Sequence, residues 1–133
     1  MDRRAFLATA GAFATAGCTA LGSDDYDVGM SAHEFLPEEY TIEVGETVVW
    51  ENTGSRGHTV TAYDGGIPEG AEFFATGGYE SEREAREAWN EDGAGLISTG
   101  ERFEHTFEVP GTHAYVCIPH EVGGMVGAIL VEE

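Results

Sequence analysis

The sequence predicts an all-β domain, a β-sandwich with Greek-key connections and one short inserted helix. Three observations indicate this class. Short segments rich in β-branched and aromatic residues recur along the chain, Gly and Pro turn signals separate them, and one helical pattern interrupts them. With 133 residues, the chain has the length of a single domain with its own core.

The first strands are expected between residues 28 and 52. Residues 28–36 form a first strand that ends at Pro37, because proline has no N–H to donate to a sheet ladder. Residues 40–44 alternate apolar and polar side chains, and residues 47–52 continue in β-favouring residues after a turn at Gly45. These two runs are expected to form a hairpin with one buried face.

The middle of the chain combines turns with a helix. A turn-rich segment leads into a short strand over residues 58–62. Residues 64–78 are rich in Gly, Pro and acidic side chains without a sustained period, which predicts a long surface connection. Ser81 opens a capping box, and the helix formers that follow predict a helix over residues 81–91 that Gly93 ends.

The last part of the chain returns to strands. Residues 103–109 alternate aromatic or apolar side chains with Glu and Thr, and residues 112–117 form the next strand after a Pro-Gly turn. Residues 126–131 are almost continuously apolar, which is typical of a buried closing strand.

The charge of the chain restricts its partners. Six basic residues stand against 25 acidic ones, for a formal net charge of −19. Such a surface repels nucleic acid and anionic lipid headgroups. Because 41% of the residues are hydrophobic, the charge indicates a folded protein with a carboxylate-rich surface rather than a disordered chain. This surface is typical of halophile proteins, since molar salt shortens the Debye length to about 3 Å.

Residues 1–17 have the pattern of an export signal, with early charges, an apolar run too short to span a bilayer, and small residues before Cys18. The paired arginines near the start resemble a twin-arginine signal, and the residues ending at Cys18 resemble a lipobox. We expect a lipid on Cys18, a lipidated tether over 18–27 and a folded domain over 28–133. Cleavage nearby without a lipid is the alternative.

Three metal donors lie close together near the C-terminus: Cys117, His120 and Met125. Thiolate and thioether sulfur suit Cu(I), imidazole suits both copper states, and two His with one Cys and a weak axial Met make up the blue-copper donor set. The second imidazole has to come from elsewhere. His58 lies 59 residues before Cys117 at the head of a predicted strand, where a sandwich can bring distant residues together.

Each donor taken alone also has a simpler interpretation. His58 could be a loop histidine, Cys117 a small buried hydrophobe, and Met125 a core side chain. Met30 is expected in the core. Three further histidines match no ligand position and are expected at the surface or within strands: His33, His105 and His113.

A wider pattern surrounds the donors. A strand containing Gly45, Val48 and Trp50 is followed by Asn52 and then, six residues later, by His58. In this combination the chain resembles the cupredoxins, in particular the plastocyanin-like and pseudoazurin-like proteins, and most of all the halocyanins of halophilic archaea. The resemblance covers the whole predicted domain and implies a cupredoxin-like sandwich.

The resemblance also implies the cofactor and its site. One copper ion, alternating between Cu(I) and Cu(II), is expected at the two histidines, the thiolate and an axial methionine, with Thr59 and Asn52 supporting the ligands. The expected metal ligands are His58, Cys117, His120 and Met125.

The function implied is that of a type 1 (blue) copper protein that carries single electrons and is not an enzyme. An apolar rim is expected to serve as the electron-transfer patch: Ile118, Pro119, His120, Val122, Gly123 and Gly124. We expect a monomer tethered through Cys18 to the extracytoplasmic face of the cell membrane. Its expected partners are membrane redox complexes or a terminal oxidase, and no nucleic acid. Copper storage or delivery is the alternative.

Two positions depart from the family pattern. Thr59 stands where many cupredoxins have an Asn whose side chain ties the two ligand loops together, so that tie is expected to be weaker or routed differently. Pro119 has no N–H and therefore cannot donate a hydrogen bond to the Cys117 sulfur, which is expected to lower the reduction potential.

Overall fold

The computed structural model describes residues 26–133. The predicted export signal (residues 1–17) and lipid-attachment residue Cys18 lie outside the described residues, as does most of the tether predicted at 18–27. Within residues 26–133, no helix is both long and apolar enough to cross a membrane.

Eight strands and one α-helix form the regular structure of residues 26–133. They are β1 (Val28–Met30), β2 (Phe35–Leu36), β3 (Glu39–Glu43), β4 (Thr47–Asn52), β5 (Thr61–Ala62), α1 (Glu82–Asp92), β6 (Arg102–Thr106), β7 (Gly111–Val116) and β8 (Val126–Glu132). Short 3₁₀ helices cover Asp64–Gly66 and Ile118–Gly123.

The strands form two four-stranded sheets, in the orders β2-β1-β4-β6 and β3-β8-β7-β5. The pairs β1 with β4 and β3 with β8 are parallel, and the other pairs are antiparallel. Neighbouring strands that are distant in sequence require crossover connections, as in a Greek key. The prediction of a β-sandwich with one inserted helix is confirmed.

The predicted hairpin of residues 40–52 is wrong. β3 pairs with β8 in one sheet, whereas β4 pairs with β1 and β6 in the other. The turn at Gly45, where φ is 94°, therefore carries the chain from one sheet to the other. Alternation predicts which face of a strand is buried. It does not predict whether two such strands pair within one sheet or pack against each other from opposite sheets.

Two strand boundaries also differ from the predictions. The segment 28–36 is two strands, because Ser31 donates its N–H to the carbonyl of Glu34 at 2.9 Å and turns β1 back against β2. The predicted strand at 58–62 is reduced to β5, and His58 pairs only with Ile97 in an isolated bridge. Propensity indicated an extended backbone in both places, whereas ladder partners decided the strand lengths.

The core is centred on Trp50, which is fully buried. Its ring lies 5.4 Å from both Phe103 and Tyr115 and 5.9 Å from Phe74, measured between ring centroids. Buried aromatic clusters of this kind contribute both area and oriented ring contacts. Since Tyr115 lies near the end of β7, two residues before Cys117, this cluster fixes the end of β7 that leads into the predicted metal site. Met30 is fully buried, as predicted.

Helix α1 begins and ends as predicted. The Ser81 side chain accepts a hydrogen bond from the N–H of Glu84, and Gly93 adopts a left-handed conformation at the C-terminus. The Glu84 carboxylate accepts from the N–H of Glu80, one residue before the position that a capping box predicts. Ala85 is the buried residue of the helix, which therefore docks through a narrow face.

The spare histidines include two that lie within the sandwich. His113 is buried, with Nε2 2.9 Å from the carbonyl oxygen of Val109. His105 is half-buried, and its ring stacks on Phe74 at 4.7 Å between centroids. His33 is exposed. Burial lowers the pKa of both His105 and His113 below the ordinary value of 6.5.

This burial predicts a dependence of stability on pH. Below pH 6.5 the unfolded chain binds a proton at His105 that the folded chain binds only at a lower pH. The free energy of unfolding should therefore decrease as the pH is lowered below 6.5. His105→Phe keeps an aromatic ring against Phe74 and removes the titration. Urea denaturation of the copper-free protein at about pH 7.5 and about pH 5 should show a smaller loss for the variant. An equal loss would contradict this account of His105.

Candidate metal centre

We call residues Cys117–Met125 the ligand loop, which connects β7 to β8. The N–H of Cys117 donates to the carbonyl of Met125 at 3.0 Å, and the N–H of Met125 donates to the carbonyl of His120 at 3.2 Å. Gly124 adopts φ 89°, a left-handed conformation that favours glycine, and its N–H donates to Glu121. The loop therefore closes on itself and brings its donor-bearing residues together.

His58 is positioned by Asn52, the buried residue at the end of β4. The Asn52 amide donates to the carbonyls of Arg56 at 2.7 Å and Ile97 at 3.0 Å, and its oxygen accepts from the N–H of Gly54 at 3.0 Å. His58 and Ile97 exchange two backbone hydrogen bonds, at 3.1 and 2.8 Å. Asn52 therefore folds the turn before His58 and pins it to the Ile97 segment.

The structure brings three of the predicted ligands together. The Cys117 sulfur lies 3.5 Å from Nδ1 of His58 and 3.3 Å from Nδ1 of His120, and the three donor atoms lie within 4.8 Å of one another. No other group of three His, Cys or carboxylate side chains comes together this closely within residues 26–133. The fourth predicted ligand, Met125, is buried and hydrogen-bonded through its backbone to Cys117 and His120.

The protonation of these groups favours a metal ion. Burial lowers the pKa of His58, aided by the nearby His120, and burial also lowers the pKa of His120. Both imidazoles are therefore neutral near pH 7, which is the form that binds metals. Burial raises the pKa of the Cys117 thiol, so metal binding must release its proton. Two neutral imidazoles and one thiol, gathered in a largely buried site, fit the donor preferences of copper.

Thr59 ties the two ligand-bearing segments together. Its N–H donates to the Cys117 sulfur at 3.4 Å, and its hydroxyl accepts from the N–H of Ile118 at 2.9 Å. The tie expected from an Asn at this position is thus made by the shorter Thr59 side chain, which takes a different route between the two segments. Pro119 gives the sulfur no N–H, whereas the backbone N–H groups of Thr59 and His120 favour the thiolate.

Comparison with known proteins identifies this arrangement. Residues 23–132 match the family described as copper binding proteins, plastocyanin/azurin family. The chain belongs to that family. This cupredoxin is 36% identical to a halocyanin of Natronomonas pharaonis over 105 residues, which cover 78% of this chain and 52% of the halocyanin. It is 33% identical to the plastocyanin of Scenedesmus fuscus over 98 residues, which cover 74% of this chain and 86% of that protein.

The fold of this cupredoxin also matches solved structures. A pseudoazurin from Sinorhizobium superposes with a TM-score of 0.57 at 27% identity, covering 81% of this chain and 73% of the pseudoazurin. The chain spans about half the length of several chloroplast plastocyanins that it matches, 54% to 56%. The predicted cofactor, one copper ion, is therefore confirmed, and the gathered donors His58, Cys117 and His120, with Met125, are the residues that would hold it.

Several residues near this site were missed by the sequence analysis. Leu96 lies against Gly57, where a built Cβ would meet the Leu96 side chain at 2.7 Å, so it borders the His58 segment. Arg56 lowers the pKa of both His58 and His120 through its charge. Glu121 contacts two side chains outside the ligand loop, those of Tyr63 and Arg86. Nothing in the spacing of these residues marks them, since only the fold brings them to the site.

Proposed function

We propose that this cupredoxin carries single electrons and performs no catalytic reaction. The observation that supports this most is the arrangement of the donors, because His58 and Cys117 are buried while their neighbour His120 is half-exposed. Bound copper would supply a one-electron couple between Cu(I) and Cu(II). The backbone hydrogen bonds of the ligand loop hold the donors in place, so that the protein moves little when the charge changes.

The proposed electron-transfer patch surrounds His120. Val122 is completely exposed, Gly123 and Gly124 are exposed, and Ile118 and Pro119 are partly exposed. Leu96, exposed at 44%, extends the apolar area beside His58. A small surface of low relief suits a transient redox complex, whose interface lies at the low end of the size range.

Arg56 indicates the charge of the partner. It is exposed and lies two residues before His58, and no ion pair within residues 26–133 involves it. The other arginines of that range, at positions 83, 86 and 102, all pair with glutamates. A cation beside the electron-transfer patch of a strongly acidic protein favours a redox partner that offers an acidic group next to an apolar face.

For the location, we propose a lipid tether at Cys18 on the extracytoplasmic face of the membrane, with membrane redox complexes or a terminal oxidase as partners. The support is the N-terminal sequence pattern, with its paired arginines and lipobox-like residues. Mass spectrometry of the mature protein from membranes tests this proposal. A mature N-terminus other than a lipid-modified Cys18 would contradict it.

The electron-transfer patch predicts a selective effect of Val122→Asp. A carboxylate in the middle of the apolar area should lower the rate of electron exchange with membranes about tenfold, because it must be desolvated in the complex. Val44→Asp is the matched control, since Val44 is 41% exposed on the turn between β3 and β4 and lies outside the patch. Stopped-flow reduction and oxidation of the copper-loaded proteins would measure both. Equal rates for the two variants would contradict docking at this patch.

A chelator experiment separates the electron carrier from a copper store or delivery protein. Electron carriage requires slow loss of copper together with fast electron exchange, whereas loss within minutes would indicate delivery. Three of the four predicted ligands are buried, namely His58, Cys117 and Met125, and this burial supports slow loss of copper.

A further inference from the structure

Helix α1 is joined to the ligand loop by a two-pronged ion pair. Nη1 and Nη2 of Arg86 donate to the two carboxylate oxygens of Glu121 at 2.8 and 3.0 Å. Glu121 directly follows His120 in the ligand loop. Helix α1 contributes no metal ligand, but through Arg86 it holds Glu121, the neighbour of the predicted ligand His120.

The pair is itself held on both sides. Tyr63 donates its hydroxyl to Glu121 at 2.8 Å, and Nε of Arg86 donates to Glu82 at 2.8 Å. Glu82 and Asp64 in turn each accept a hydrogen bond from the backbone N–H of the other, at 2.9 and 3.2 Å. The network thus connects α1, the segment after β5 and the ligand loop. Burial, followed by the hydrogen bond to Glu121, raises the pKa of Tyr63 to about 12.

This network differs from an ordinary surface ion pair on the same helix. Arg83 and Glu87 make a single contact at 3.1 Å, and their side chains are 85% and 57% exposed. The side chains of Arg86 and Glu121 are only 29% and 36% exposed, and their contact is bidentate. Bidentate Arg–carboxylate pairs fix direction as well as distance, whereas exposed single pairs contribute little.

The position of Glu121 connects this network to the ligands. Its carbonyl accepts the N–H of Gly124, and the carbonyl of the preceding His120 accepts the N–H of Met125. A displacement of the Glu121 side chain would therefore move the backbone that carries the His120 and Met125 donors. Arg86 also neutralises the carboxylate charge of Glu121, the residue that directly follows the predicted ligand His120.

We propose that Arg86, Tyr63 and Glu121 are positioning residues for the copper, forming a clamp that holds the ligand loop and balances the charge next to it. The proposal goes beyond the electron-carrier role, because it rests on the copper site alone. It can therefore fail while electron exchange with membranes is upheld, and the reverse.

The test compares Arg86→Gln and Glu121→Gln, with Arg83→Gln as the matched control on the same helix. Arg86→Gln leaves an unpaired carboxylate that favours Cu(II), so the reduction potential should fall. Glu121→Gln removes a negative charge from the ligand loop, while Arg86 keeps its ion pair with Glu82. The less negative surroundings favour Cu(I), so the potential should rise. Both should speed copper loss to a chelator about tenfold, the lower end of the effect of removing a supporting contact. Arg83→Gln should change neither quantity.

Two further variants separate the charge from the geometry. The double variant Arg86→Gln with Glu121→Gln should restore the potential but keep the fast copper loss. Arg86→Lys keeps the charge without the two-pronged contact and should retain the potential while losing copper faster. Urea denaturation of the copper-free proteins checks that each one folds. Shifts of the potential in the same direction for the two single variants, or copper loss no faster than in Arg83→Gln, would overturn the proposal.

Discussion

Cys117→Ser is expected to remove the intense visible absorption of the copper-loaded protein and to weaken copper binding more than about 100-fold, beyond the effect of losing a supporting residue. The absorption arises from charge transfer between thiolate and Cu(II), and Cys117 is the one cysteine of residues 26–133. A serine hydroxyl in the same buried position stays protonated and is a hard donor, which suits copper poorly.

The measurements are the optical and EPR spectra of the copper-loaded variant and its affinity from competition with a chelator. The unfolding of the copper-free protein serves as control, because the sulfur-to-oxygen exchange leaves the backbone hydrogen bond of Cys117 to Met125 in place. A variant that keeps the blue band would show that the thiolate assignment is wrong. A wild-type protein that takes up copper without colour would do the same.

Asn52→Ala is expected to lower the free energy of unfolding by about 3 kcal/mol, because it removes three hydrogen bonds that contribute about 1 kcal/mol each. The lost partners are the carbonyls of Arg56 and Ile97 and the N–H of Gly54. They shape the turn before His58, so the loss should also speed the release of copper.

Urea denaturation of the copper-free protein gives the stability, and chelator competition gives the copper release. Ser55→Ala is the matched control, because Ser55 is exposed on the same turn. If Asn52→Ala and Ser55→Ala unfold at the same urea concentration, Asn52 does not hold the turn. Normal copper release together with lowered stability would show that Asn52 holds the turn but does not position His58 for copper.

The ligand loop could be predicted because its chemistry lies within a short segment. Cys117, His120 and Met125 place a thiolate, an imidazole and a thioether within nine residues, so their clustering can be seen from spacing alone. His58 needed the additional premise that strand ends meet at one end of a sandwich, and the structure brings it to the sulfur at 3.5 Å. Asn52 was recognised by its distance from His58, but its three partners were not, since Ile97 is 45 residues away.

The pairing of strands was less predictable than their existence. The alternation of residues 40–44 and 47–52 indicated strands with buried faces, and both are present as β3 and β4. A short turn between them suggested a hairpin, yet β3 pairs with β8, whose residues lie far along the chain. The burial of a face stabilises a strand whichever sheet it joins, so a local pattern does not choose the sheet.

The sequence by itself determined the fold class, the helix with its two ends, and the soft donor set that suits copper, because each follows from local spacing, capping or donor chemistry. Only the tertiary structure decided which strands share a sheet, that Thr59 ties the ligand segments, and that Arg86 reaches Glu121. Those contacts join residues 35 and 59 positions apart. Contacts at such separations depend on how the two sheets and the inserted helix pack, and no local pattern carries that information.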